Sequence, residues 1–408
     1  MLRYKYSVLL IIKDRRSVPN CLAPYGSRTQ CVDGKCVCWP TWKGSNCSEL
    51  NLMPSPNIFA WYRPGNQSSW GGSVVERSGI YHMFASDITA HCGLDTWRRN
   101  SRIVHLTAKA PEGPYLEQGA VLAPFAHNPT VHVAPDGTWL LLHIGHGVSL
   151  PAVDGCTNGT TPTSVASASM DSEPPVSRAA LGDRVAPALL YSTSGPDGPW
   201  ESLKPDPFAW GCNNPALHVF ANGSALLVCK VPMWNLTCCA MQISTAPSWR
   251  GPYHVVAHPN VYGEDPFVFQ QPQDGYLHML LHTMVRGLPK IRTTAWSRDG
   301  ISWTPAFGAY QGINYSDTYA SFGTDILSAN GTLFTVARRE RHQVLLREAD
   351  GAPIYLFNGV TAQSPGNRDD FSLTAAQPLG VLPVVHGVPV TGAGVQLQRQ
   401  FATRPTTD

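Results

Sequence analysis

The sequence predicts an all-β chain, a five-bladed β-propeller behind a small disulfide-rich N-terminal domain. Three observations predict it. First, one phrase recurs. Strands open on Pro at His127-Asn128-Pro129, Asn213-Asn214-Pro215 and Glu264-Asp265-Pro266, and units close on Gly113-Pro114-Tyr115, Gly198-Pro199-Trp200 and Gly251-Pro252-Tyr253. Each closing lies about 13 to 15 residues before the next opening, while the openings are unevenly spaced. A constant joint between variable units is what a radial array of small sheets produces. Second, from Ile58 onward short strands alternate with turn signals, with no long stretch of helical period. Third, only 14% of residues are charged, below the usual roughly 25%, while 36 Gly and 35 Pro suit tight turns and 43% hydrophobic residues suffice for a core. A pair of β-sandwiches would use similar strands, but the repeated joint argues against it.

The elements follow in order. Residues 1–20 read as an unstructured or remnant N-terminus, 21–50 as the cysteine module, 58–395 as the propeller and 396–408 as a tail. The apolar run Ser7 to Ile12 follows Arg3 and Lys5 but is short for a signal peptide, and Lys13-Asp14-Arg15-Arg16 comes at once. The natural N-terminus is therefore expected to differ. No segment approaches the roughly 20 apolar residues of a membrane span.

In the module, Cys36-Val-Cys38 is followed after five residues by Gly44 and then by Cys47, with Trp42 two residues before the Gly. This resembles the C-terminal signature of EGF-like domains, small modules held by disulfides rather than by a core. The resemblance implies the pairs Cys21–Cys36 and Cys38–Cys47. It leaves Cys31 without a first-position partner, as expected if the chain continues upstream. Extracellular context and spacing disfavour a zinc site. Cys92, Cys156, Cys212, Cys229, Cys238 and Cys239 allow up to three further disulfides, whose pairing the sequence leaves open.

Blade one is expected from Trp70, turning at Arg77-Ser78-Gly79 and running on as Ile80 to Ser86 and Ser101 to Ala108. Blade two opens at Asn128, turns at Asp136-Gly137, and resumes at Ala188 after a Ser/Thr/Ala/Pro-rich loop from Gly147 to Val185. Blade three opens at Asn214 and turns at Asn222-Gly223; blade four opens at Asp265 and turns at Asp274-Gly275. Blade five is expected in Ala320 to Leu327, a turn at Asn330-Gly331, and Thr332 to Arg338.

These openings, turns and closings, over roughly residues 58–380, resemble the five-bladed glycosidases of glycoside hydrolase family 43. The resemblance implies an inverting enzyme with a carboxylate base, a carboxylic acid and a third Asp that tunes the acid. Glu264-Asp265-Pro266 matches the blade-four motif, which implies Glu264 as general acid. A neighbouring carboxylate such as Asp265 would raise its pKa by like-charge repulsion. Alternatively the two simply bond strand-end amides. The blade-one opening, where the family has its base, reads Trp70-Gly71-Gly72-Ser73, without a carboxylate. Asn128 and Asn214 stand for Asp; Asn can orient a hydroxyl but cannot take a proton. Asp87 and Asp325 are the candidate substitutes for the base.

Other candidates are less specific. His127, His143 and His282, with His82, His91 and His146, recur at strand ends. Together they could hold a water or the central ion seen in some family members; singly they are ordinary hydrogen-bonded residues. No short metal-ligand spacing exists, so no metal and no cofactor are assigned. Arg338-Arg339-Glu340-Arg341-His342 is the densest charged cluster. Arg338 and Arg341 could grip an acidic sugar, or Glu340 could close an internal salt-bridge network. Trp61, Trp70 and Trp97 could stack on sugar or pack the blades.

The net charge of +2, with no basic run, disfavours nucleic acid and acidic membranes. Eleven Cys and seven Asn-x-Ser/Thr sequons (Asn46, Asn66, Asn158, Asn222, Asn235, Asn314, Asn330) point to the secretory pathway and an extracellular, glycosylated protein. The expected function is glycoside hydrolysis on a cell-wall or extracellular polysaccharide. The alternative is a non-catalytic carbohydrate-binding propeller with an adhesive role. The cysteine module offers a surface for extracellular protein contact.

Overall fold

The computed structural model describes residues 28–32, 35–44, 47–61, 67–145, 152–159, 161, 187–208, 212–231, 240–272, 274–282, 292–305, 322–361 and 371–380. Cys21, Cys238, Cys239, His146, Asn46, Asn66, Asn235, Asn314, both chain ends and most of the loop after Gly147 lie outside them.

The molecule is the predicted five-bladed propeller. Blade one is β5 (Ser69–Arg77), β6 (Ile80–Ile88), β7 (Ser101–Ala108) and β8 (Leu116–Leu122). Blade two is β9 (His127–Val133), β10 (Trp139–Ile144), β11 (Pro187–Ser192) and β12 (Glu201–Ser202). Blade three is β13 (Asn213–Val219), β14 (Ala225–Val231), β15 (Ala240–Ala246) and β16 (His254–Ala257). Blade four is β17 (Glu264–Gln270), β18 (Leu277–His282), β19 (Arg292–Ser297) and β20 (Trp303–Pro305).

Blade five corrects the expectation. It is β23 (Arg338–Leu346), β24 (Pro353–Thr361) and β25 (Ser372–Pro378), while β21 (Asp325–Leu327) and β22 (Leu333–Thr335) form a separate two-stranded sheet. The turn at Asn330-Gly331 is real but belongs to that hairpin. The charged run from Arg338 therefore starts the innermost strand of a blade instead of following a blade-five strand. Phe59 bridges to Ala375 and the Ala376 amide donates to the Ile58 carbonyl, so the segment before blade one caps the outer edge of blade five and closes the ring.

Successive inner strands β5, β9, β13, β17 and β23 pack around an axis, with β23 back against β5. Alternating strand residues send apolar side chains into the seams between blades. Phe84 and Ile103 meet Leu141 and Leu190 between blades one and two. Leu140 and Leu142 meet Leu217 and Leu227 between two and three. Val228 and Met241 meet Val268 and Met279 between three and four.

The cysteine module is not a separate bead. Its strands β1 (Thr29–Val32) and β2 (Lys35–Cys38), and β3 (Trp42–Lys43) and β4 (Glu49–Leu50), form two small sheets. Trp42, Cys47 and Leu50 join Phe267, Phe269, Leu280, Val344 and Leu356 in the seam of blades four and five. Trp42 Nε1 donates to Gln271 Oε1 at 3.0 Å, and the buried Arg28 guanidinium lies 4.2 Å over Trp42 and 4.7 Å over Trp296. The Cys38–Cys47 disulfide is present and Cys36 is also disulfide-bonded. This docking is at the Gln271 end of β17, opposite the Glu264 end. Among the described residues no helix is long and apolar enough to cross a membrane.

Candidate functional site

All five inner strands begin with the same backbone device. One residue near the start of each takes a positive φ: Gly71 (61°), Asn128 (55°), Asn214 (44°), Asp265 (53°) and Arg341 (50°). The pairing of each inner strand with its neighbour slips at that point, a β-bulge. Gly, Asn and Asp tolerate this left-handed region best. Arg does not, and holding it there costs on the order of 1–2 kcal/mol. The bulges turn five short segments toward one end of the axis: Trp70-Gly71, His127-Asn128, Asn213-Asn214, Glu264-Asp265 and Glu340-Arg341.

Arg341 joins blades two, four and five. Its Nη2 donates to the Asn128 carbonyl at 2.7 Å and to Thr130 Oγ1 at 2.9 Å, and its Nη1 lies 3.5 Å from Asp265 Oδ1. A Cβ added at Gly71 would meet Arg341 Cγ at 2.9 Å. A side chain at position 71 would therefore have to displace the stem of Arg341.

Across blades two to four runs a polar chain. Asn128 Nδ2 donates to Asn214 Oδ1 at 3.0 Å, and Asn214 Nδ2 donates to Glu264 Oε1 at 3.4 Å. Lys230 is paired with Glu264 through the same oxygen. Lys230 reaches it because β14 pairs with β13 in a register that sets Lys230 opposite Asn213. The Cys212–Cys229 disulfide, one residue before each, staples that register. His282, opposite Glu264 in the β17–β18 pairing, lies 3.8 Å from both Glu264 Oε2 and Asp265 Oδ2.

The electrostatics separate the two adjacent carboxyls. Burial works to raise the Glu264 pKa, but the Lys230 charge, then His282 and the Lys230 hydrogen bond, outweigh it, and the group sits below its ordinary value. Asp265 goes the other way: burial raises it, and Glu264 and Glu340 add to that against Arg341 and His282. Glu264 is the more open, with 19% of its side chain exposed against 6% for Asp265.

Arg338 closes the blade-five side. It pairs with Glu340 at 3.2 and 3.3 Å and lies 5.6 Å over the Trp70 ring. The internal network with Glu340 therefore exists, and Arg338 still reaches the mouth. Trp70 is buried beneath it, against Gly359, and offers no open face for a sugar. Trp61 is core. Trp97, half-buried in the β6–β7 connection, stacks on His127 with ring centroids 5.0 Å apart.

The remaining predicted residues are placed as follows. His127 is buried, its Nδ1 2.8 Å from Ser101 Oγ. His143 is buried near the end of β10. His82 lies toward the other end of blade one, against His105. Asp87 is buried within β6, accepting from Arg102 Nε at 2.7 Å. Asp325 is exposed on the separate hairpin, accepting from Thr335 Oγ1 at 2.6 Å. Sequence reasoning missed Lys230, whose place depends on strand register alone.

Asp265, His282 and Glu340 bring one ligand atom each within 4.8 Å of one another. They are a poor fit for a cation. Asp265 already faces Arg341 and Glu340 faces Arg338, while Glu264 faces Lys230, so each carboxylate of the mouth has its own cationic partner.

No protein-family model matches the chain, and no curated protein matches it. Solved structures do. Zg3597, a family 117 glycoside hydrolase produced by the marine bacterium Zobellia galactanivorans, aligns with a TM-score of 0.50 at 13% identity, over 85% of this chain and 93% of its own. The catalytic domain of the Coprinopsis cinerea GH62 alpha-L-arabinofuranosidase aligns with a TM-score of 0.52 at 11% identity, over 81% of this chain and 97% of its own. The chain has the five-bladed propeller fold found in these glycoside hydrolases.

Proposed function

We propose that the protein is a glycoside hydrolase-like glycan-processing protein of the extracellular space, with its substrate seated over the bulged inner-strand starts and Glu264 as the general acid. One observation carries the reading: Glu264 is a partly open carboxyl at the mouth, held by Lys230 and Asn214 of the neighbouring blade three. The Cys38–Cys47, Cys92–Cys156 and Cys212–Cys229 disulfides support an oxidising compartment. Exposed Asn222 and Asn330 at turn tips support glycosylation.

In this reading the glycan's leaving oxygen meets Glu264, displacing Lys230 from it. The Asn128–Asn214 chain orients the carboxyl. The proton must reach Glu264 from solvent, because its depressed pKa keeps it ionised at neutral pH. Activity is therefore acidic.

The filled space at Gly71 favours a second reading, a carbohydrate-binding propeller that has lost its base. Release of sugar from a panel of cell-wall and matrix polysaccharides, at pH 4 to 7, separates the two. Wild-type release that Glu264→Gln abolishes supports the hydrolase. Retained binding on a glycan array without release supports the second reading.

A further inference from the structure

The charged side chains of the mouth are not equally open. Arg338 keeps 39% of its side-chain surface and Lys230 15%, while Asp265 keeps 6% and Glu340 7%. All belong to one cluster. Asp265, His282 and Glu340 bring ligand atoms within 4.8 Å of one another, and His282 lies 3.8 Å from Glu264 Oε2. Lys230 pairs with Glu264 at one end and Arg338 with Glu340 at the other. The carboxylates Asp265 and Glu340 therefore turn inward, and a ligand over the bulges meets Lys230, Arg338 and the single open carboxylate of Glu264.

The two open cations flank Glu264 from different blades. Lys230 stands on β14 of blade three, opposite Asn213. Arg338 is the first residue of β23, which begins further ahead of its bulge than β9, β13 and β17 do. Its Nε and Nη2 are taken by Glu340 at 3.2 and 3.3 Å, and Nη1 is left out of that pairing. The Trp70 ring, 5.6 Å away, supports the guanidinium from below.

In this cluster Lys230, Arg338 and Arg341 balance Glu264, Asp265 and Glu340 only while Glu264 is ionised. An acid that gives its proton to a leaving oxygen must first hold one. Once Glu264 is protonated, Lys230 keeps its charge and loses its counter-ion, and a half-desolvated cation without a partner is costly. A neutral glycan does not replace the missing charge. A carboxylate or sulfate beside the scissile bond does, through charge-assisted hydrogen bonds, and it draws Lys230 away from the oxygen of Glu264 that the leaving group must meet.

We propose that the mouth takes an acidic glycan, one whose carboxylate or sulfate groups are seated on Lys230 and Arg338. The proposal rests on the reading of Glu264 as the acid of a glycan site.

The test measures calorimetric binding and sugar release on polygalacturonate and chondroitin sulfate, which are charged, and on arabinan and xylan, which are not. Carboxyl-reduced polygalacturonate, and chondroitin sulfate after desulfation or carboxyl reduction, separate uronate from sulfate as the source of the charge. The proposal predicts that wild type binds a charged polymer on the order of tenfold or more tightly than the neutral ones. Removing the recognised charge abolishes the preference. In Lys230→Met and Arg338→Met the ratio of charged to neutral binding narrows, and in Lys230→Arg it is kept; melting temperatures check that the variants fold. Arabinan or xylan bound as tightly as the charged polymers overturns the proposal, and the hydrolase reading stands. A preference for charge that both Met variants retain also overturns it, since the anion then sits elsewhere. Charge-selective binding without release, lost in the Met variants, supports the anion seat and overturns Glu264 as a working acid. No binding to any of these polymers overturns both.

Discussion

Lys230 and Arg341 decide what the mouth can do. Lys230 holds Glu264 ionised, so a reaction that needs the protonated form speeds up as pH falls toward the depressed pKa. Lys230→Met removes the strongest of the charges that lower that pKa. We expect the pH–rate profile to move to higher pH in this variant, read from initial rates between pH 3 and 8. An unmoved profile would detach Glu264 from the rate. The same depression carries a stability term. The pair stabilises the fold above the unfolded pKa of about 4.3, and that contribution is lost as pH falls through the lower folded value. Arg341 is strained yet central. Arg341→Ala keeps the strain, which any Cβ brings at this φ, and takes from the buried Asp265 its guanidinium partner, a loss of roughly 3–5 kcal/mol. Asp265→Asn should offset much of it, because Asn occupies the equivalent bulges at 128 and 214. Denaturant titration of both single variants and the double variant checks this; simple additivity would break the assigned pairing. With the carboxylates already countered by Lys230, Arg338 and Arg341, we expect neither a chelator nor added Ca²⁺ to move the melting temperature.

Both propeller disulfides among the described residues staple elements of the mouth. Cys212–Cys229 spans 17 residues and fixes the β13–β14 register that delivers Lys230 to Glu264. Cys92–Cys156 spans 64 residues and fixes the β6–β7 turn. Loop-closure entropy sets their stabilisation at about 3 and about 4 kcal/mol respectively. Replacing either pair by Ser should lower the denaturation free energy by that order and weaken glycan binding besides. Unchanged binding would mean that the staples serve the fold alone. The openings were legible because their cause is local. A residue that tolerates positive φ, followed by Pro, writes a bulge into the sequence at Asn128, Asn214 and Asp265. Blade five escaped because Arg341-His342 replaces that pair, and a strained Arg carries no local signature. The hairpin at Asn330-Gly331 then drew the blade assignment to itself. Lys230 was not legible as a site residue, since strand register alone brings it to the mouth.

At the scale of the whole molecule, the ring has the proposed site at one end and the cysteine module at the other. The cysteine module buries Trp42 in the seam of blades four and five, far from Glu264 along β17. Trp42→Ala should cost roughly 3–5 kcal/mol in a single unfolding transition. Two separate transitions in calorimetry would instead mean that the module folds apart from the propeller. The central claim is that glycan binds over the bulged inner-strand starts. The most direct test is a crystal structure with an oligosaccharide taken from the polysaccharide that the protein cleaves or binds. The account predicts a sugar ring over the mouth, with a glycosidic oxygen within hydrogen-bonding distance of Glu264 and Lys230 turned away from it. A sugar seated at the cysteine-module end, or on the outer blade edges with the mouth empty, would contradict it.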